Sequence, residues 1–66
     1  MFLNVETEPF TDREKSIHYL LREQLTNREI GERLHLSPNT VRNHISAMLR
    51  KKGVRTREAL QQLPEE

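Results

Sequence analysis

Residues 26–53 read TNREIGERLHLSPNTVRNHISAMLRKKG, and two helical patterns meet inside them at a short turn. Thr26 followed three residues later by Glu29 forms a capping box, so a helix is expected to start there. Ile30 and Leu34, four apart, give that helix one apolar stripe. Gly31 costs about 1 kcal/mol against Ala in mid-helix, and close approach of a crossing helix is the expected return. Leu36 is expected to tuck under the turn. Ser37 is a good N-cap, and Pro38 suits the first helical position, where a missing N–H is no loss. The next helix should run from about Pro38 to Lys52, with Gly53 free to take the left-handed conformation that stops it.

The two sides of that helix differ. Val41, Ile45, Met48 and Leu49 fall at i, i+4, i+7 and i+8, a stripe to be buried. At 100° per residue the opposite side carries Asn39, Asn43, Ser46 and Arg50, flanked by Arg42 and Ala47. That face offers hydrogen-bonding groups, small residues and positive charge, with no acid. A merely solvated face usually mixes signs.

Working outward, Thr11 and Glu14 form another capping box. Ile17, Leu20 and Leu21 make the stripe of a first helix, about Asp12 to Glu23. His18 lies at the edge of that stripe. Tyr19 points away from it, either as an ordinary exposed residue, the favoured reading, or as part of a partner surface. Leu25 closes the first helix onto the second. Beyond Gly53, Val54 is expected to plug the core. Thr56 can cap a short fourth helix from Arg57 to about Leu63, ended by Pro64, Glu65 and Glu66, with Leu60 and Leu63 as its apolar edge. Residues 1–9 lack helical period and read as an arm, either a native N-terminus or the end of a linker. The expected architecture is all-α: four helices in a bundle-like helix-turn-helix domain over residues 10–66.

With 66 residues and no cysteine, the chain is one small domain without disulfide or thiolate support. Chains of this size bury only about 60% of their unfolded surface. No signal peptide and no apolar run near the ~20 residues of a membrane span is visible, so the default compartment is the cytoplasm. The net charge of +1 hides a strong asymmetry. Residues 33–57 hold Arg33, Arg42, Arg50, Lys51, Lys52, Arg55 and Arg57 and no acid, whereas the segments on either side are each net negative. A basic block inside periodic helical sequence is the electrostatic footprint of a polyanion site.

An enzyme is not indicated. His18, His35 and His44 lack metal-ligand spacing, and no cysteine is available. Glu29 and Glu32 lie one turn apart, but capping already explains Glu29. Neither a Gly-rich phosphate loop nor a nucleophile motif is present. His44, beside the buried stripe, suits packing or phosphate contact better than catalysis. No cofactor is implied.

Phe10-Thr11-x-Arg13-Glu14, Leu25-Thr26-Asn27-Arg28-Glu29-Ile30-Gly31, Leu34-x-Leu36-Ser37-x-x-Thr40-Val41-Arg42-x-His44 and Gly53-Val54-x-x-Arg57 stand in one register. In that register the chain resembles a LuxR/FixJ/GerE-type helix-turn-helix domain from Phe10 to Leu60. The resemblance implies a four-helix DNA-binding domain whose third helix enters the major groove and whose fourth often mediates dimerisation. It places base contacts at Arg42, Asn43 and Ser46. It places phosphate contacts at Thr26, Asn27, Ser37, Asn39, Thr40 and Lys51, with a structural or phosphate-binding role for Arg57. Arg50, on the exposed face, joins the phosphate candidates. Leu60 and Leu63 are the candidate dimer contacts.

Side-chain chemistry agrees. Arginine can fork onto guanine O6 and N7, and asparagine can pair adenine N6 and N7. Hydroxyls and free N–H groups at a helix start can hold a phosphate. The expected partner is double-stranded DNA bound by a homodimer, with RNA polymerase or a larger regulator as a further partner class. The competing reading is a protein-interaction module that pairs with and antagonises a larger regulator; such a module has no need of the basic block. Three residues depart from the family pattern. His18 replaces an apolar residue, Gln24 a glycine and Lys52 a leucine. Lys52 is expected to snorkel, with its stem over the core edge and its ammonium in water, or else the last turn frays.

Overall fold

A computed structural model describes residues 8–66; the arm expected over residues 1–9 therefore lies mostly outside the described residues. Four helices follow one another: α1 (Asp12–Arg22), α2 (Asn27–Leu34), α3 (Pro38–Lys52) and α4 (Arg57–Gln62). Each starts on a hydroxyl cap. Thr11, Thr26, Ser37 and Thr56 accept from the backbone N–H three residues on. Both expected capping boxes close, with the Thr11 and Thr26 N–H groups donating back to Glu14 and Glu29. α1 and α4 each stop one residue short of expectation, at the C-caps Glu23 and Leu63.

α2 and α3 form the most intimate pair. The turn between them is shaped by His35, left-handed at φ 60°, and by Leu36 N–H donating to Gly31 O at 2.8 Å. The role of Gly31 is more local than expected. A Cβ there would stand 2.3 Å from the Leu36 carbonyl oxygen, so the backbone of the turn, not a crossing helix, demands glycine. Gly53 takes φ 68° and ends α3 as expected.

The core gathers Phe10, Ile17, Leu20, Leu21, Ile30, Val41, Ile45, Met48 and Leu60. Leu49, expected to be buried with Val41, Ile45 and Met48, is only half-buried and packs against the core with Leu25, Leu34, Leu36, Val54 and Leu63. Three residues sit differently from expectation. His18 is not at an edge; it is 1% exposed. Its Nε2 lies 2.9 Å from the Leu60 carbonyl, to which it donates, and its ring packs on Phe10 with centroids 5.1 Å apart. A buried imidazole is tolerated because its polar atom is bonded. Leu60 is wholly enclosed, which removes it from any surface contact with a second copy. Lys52 does not fray, and its side chain, only 11% exposed, is held against the fold rather than released to water. α3 is helical through it, its stem is covered, and its ammonium lies 4.5 Å from the Phe10 ring centroid. That ammonium pairs with Glu66 Oε2 and donates to the Glu8 carbonyl. Glu66 also accepts from Phe10 N–H, so the C-terminal residues fold back over α1 and α3.

α4 is pinned to α1 from both sides of the chain. Gln61 Nε2 donates to Leu21 O at 3.1 Å, and Arg22 donates to the Leu63 carbonyl. This frame holds α3 by one face and leaves the other in solvent.

Candidate nucleic-acid interface

The exposed face of α3 carries Asn39, Arg42, Asn43, Ser46 and Arg50, all solvent-exposed. Its first turn contains no acid. Arg42 Nη2 donates to Asn39 Oδ1 at 2.8 Å across one turn. The three residues expected to face bases therefore share one surface, Arg42 and Asn43 in the N-terminal half of α3 and Ser46 just past its middle.

The start of α3 suits an anion. Ser37 Oγ accepts from Thr40 N–H at 3.0 Å and donates to Thr40 Oγ1 at 2.9 Å. The Thr40 hydroxyl hydrogen is then free to point outward, beside N–H groups that a helix start leaves unpaired. The start of α2 is less favourable. Thr26 and Asn27 sit beside the Glu29 carboxylate, which Thr26 N–H holds below the ordinary glutamate range. A fixed negative charge there opposes a phosphate.

The structure redistributes the basic block. Lys51 Nζ lies 2.7 Å from Glu14 Oε1, with side chains only 20% and 9% exposed, so this cation is largely neutralised within the fold. Burial pushes the Glu14 carboxyl up, but its bonds from Lys51 and Thr11 outweigh this and hold it below the ordinary range. Lys52 is neutralised by Glu66 in the same way. Neither partner acid lies within residues 33–57, so sequence separation concealed both pairs. Arg57 bridges helices: Nη1 donates to Asn27 Oδ1 at 2.6 Å and Nη2 to Leu25 O at 2.9 Å. Its acceptors are neutral, so its charge persists. Among the described residues, Arg33, Arg42, Arg50, Arg55 and Arg57 have no carboxylate within ion-pair distance. Arg33 lines a groove with Lys15, Tyr19, Leu20, Leu34 and Glu65. Arg55, exposed in the α3–α4 corner, was not singled out from the sequence; its membership of the acid-free block was the available signal.

No helix among the described residues is long and apolar enough to cross a membrane. Residues 8–63 match the family model of bacterial regulatory proteins, luxR family. The chain is 45% identical over 47 residues to the spore germination protein GerE of Bacillus subtilis, a match covering 71% of this chain and 64% of GerE. It is 43% identical over 47 residues to the DNA-binding transcriptional activator DevR/DosR of Mycobacterium tuberculosis, covering 71% of this chain and 22% of that protein. It is 40% identical over 52 residues to the transcriptional regulatory protein DesR of B. subtilis, covering 79% of this chain and 26% of that one. The chain thus spans less than two thirds of each of these relatives. No solved structure gives a significant match.

Proposed function

The chain belongs to the luxR family of bacterial regulatory proteins, and from that premise we propose that it binds double-stranded DNA sequence-specifically and regulates transcription. The observation that carries the reading is the free face of α3. It is rigidly backed by the core, free of acid, and bears Arg42, Asn43 and Ser46 together. In helix-turn-helix docking the N-terminal part of the second helix meets base edges in the major groove. Arg42 is suited to guanine and Asn43 to adenine, while the short Ser46 can serve either.

Holding the backbone falls to a different set. Ser37, Thr40 and the start of α3 grip one phosphate, and Arg50 and Arg55 supply charge along the groove wall. Thr26, the Asn27 amide and Arg57 form the second flank, weakened by Glu29. Lys51 contributes less than its charge suggests, because its ammonium must leave Glu14 to reach DNA.

Three base-facing side chains specify few base pairs, so the assembly we infer is two copies on an inverted repeat. Two-fold symmetry would set their α3 helices on half-sites about 34 Å apart. Leu63, half-buried at the end of α4, remains a candidate contact where Leu60 does not. Sedimentation should show two copies on a palindromic duplex; one copy per palindrome would reject the dimer.

Duplexes selected from random DNA, compared with random duplexes over a salt series, test the main reading. Arg42→Ala should cost about 1–3 kcal/mol on the selected site and less on random DNA. Asn43→Ala should lose specificity with the salt slope nearly unchanged, since it removes no charge. Arg50→Ala should weaken both duplexes alike and flatten the slope by about one unit. Absence of any salt-dependent duplex binding would favour the protein-interaction alternative.

A further inference from the structure

We propose that Asn39 is a positioning residue for base reading: its side-chain oxygen sets the Arg42 guanidinium for the groove. The proposal rests on Arg42 being a base contact and changes the role expected of Asn39, which the family resemblance placed on a phosphate. Arg42 Nη2 donates to Asn39 Oδ1 at 2.8 Å, and both residues are exposed on the face turned away from the core.

The chemistry of the restraint is what points to this role. The two lysines in the last turn of α3 are also held, but by carboxylates, Glu14 and Glu66, which cancel their charge. Arg42 is held by a neutral amide, and no carboxylate lies within ion-pair distance of it among the described residues. Its full charge therefore remains available to DNA. One of its five N–H donors is used, which leaves enough for the two-bond fork that guanine requires. The guanidinium is planar, so fixing one nitrogen limits how the plane can turn. Bidentate recognition depends on that plane, whereas contact with a phosphate does not. A loosened Arg42 would still find random DNA but would discriminate bases less well.

The experiment measures affinity for a selected duplex, for the same duplex altered at the base pair that Arg42 reads, and for random DNA. Asn39→Ala should lower discrimination at that base pair about three- to tenfold, the worth of one net hydrogen bond. Affinity for random DNA should fall much less than discrimination, and the salt slope should hold, because Asn39 is uncharged. Asn39→Asp keeps an acceptor for Arg42 and adds negative charge. It should weaken all three duplexes yet retain more discrimination than Asn39→Ala. In an Arg42→Ala background, Asn39→Ala should remove no further discrimination.

Equal losses on selected and random DNA for Asn39→Ala would make Asn39 a phosphate contact and overturn the proposal. A loss of discrimination that persists in the Arg42→Ala background would make it an independent base contact, with the same consequence. No change for Asn39→Ala, while Arg42→Ala abolishes discrimination, would overturn the positioning role and leave the reading of Arg42 intact. Unchanged discrimination in Arg42→Ala alone would reject that reading itself, and the positioning role with it.

Discussion

Replacing Glu14 by Gln should separate the part of the basic block that stabilises the fold from the part that meets DNA. Glu14 is 7% exposed, and one of its oxygens serves both Lys51 Nζ at 2.7 Å and Thr11 N–H at 2.8 Å. Glutamine keeps the shape and can still accept from Thr11, but leaves the ammonium without a counter-charge. Breaking a fully buried pair costs about 3–5 kcal/mol. Lys51 is 20% exposed, so its ammonium can partly rehydrate, and the amide oxygen still accepts from it. The cost should therefore fall to about 1–2 kcal/mol. A domain of this length has about 3–10 kcal/mol in all, and each kcal/mol lowers its melting temperature by about 4–8 °C. Thermal denaturation at pH 7 should thus show a drop of about 5–15 °C. The pH dependence carries a definite sign. The Glu14 carboxyl is held below its ordinary range in the folded state. The stability it contributes is complete above the unfolded value of about 4.3 and disappears as pH falls through the lower folded value. Wild type and Glu14→Gln should therefore converge in acid. Equal melting temperatures at pH 7, or a gap that persists undiminished at pH 2, would overturn this account of the pair.

Three further outcomes are expected from thermal denaturation. Gln24 is left-handed at φ 67°, which costs a side-chain-bearing residue about 1–2 kcal/mol; Gln24→Gly gives back part of this in unfolded-chain entropy and should still raise the melting temperature by a few degrees, and no rise would show that the turn is not strained. Gly31→Ala should destabilise by about 1–3 kcal/mol despite alanine's better helix propensity, because its Cβ would meet a backbone oxygen; a neutral result would mean that the α2–α3 turn yields easily. Lys52→Leu should stay within about 1 kcal/mol of wild type, since an apolar residue of similar volume can replace a covered ion pair, whereas Lys52→Ala should lose at least about 1 kcal/mol with the stem and its contact to Phe10; equal stability of the two variants would show that the stem is not packed.

Local signals were legible in the sequence because their causes are local. Hydroxyls three residues ahead of the N–H they accept, glycine at a left-handed stop and apolar residues at helical spacing gave four helices to within a residue or so at the ends. The same spacing gave the free face of α3, since a helix that buries Val41, Ile45 and Met48 must expose Arg42, Asn43 and Ser46. The Asn39–Arg42 bond was within reach too, as an i, i+3 pair.

What tertiary structure decided was the fate of each polar group near the core. Periodicity gives the direction in which a side chain leaves its own helix, not what another part of the chain brings there. His18 lies deep because α4 offers the Leu60 carbonyl to its ring, 42 residues away in sequence. Leu60 faces inward because α4 packs on both α1 and α3, which no six-residue helix can reveal by its own pattern. Lys51 and Lys52 looked like free charge in an acid-free block until Glu14 and Glu66, 37 and 14 positions distant, folded against them. A charge is cancelled by its neighbours in space. Only the packing of α1 and the C-terminal residues on α3 determined which cations of this chain are spent on the fold and which remain for a polyanion.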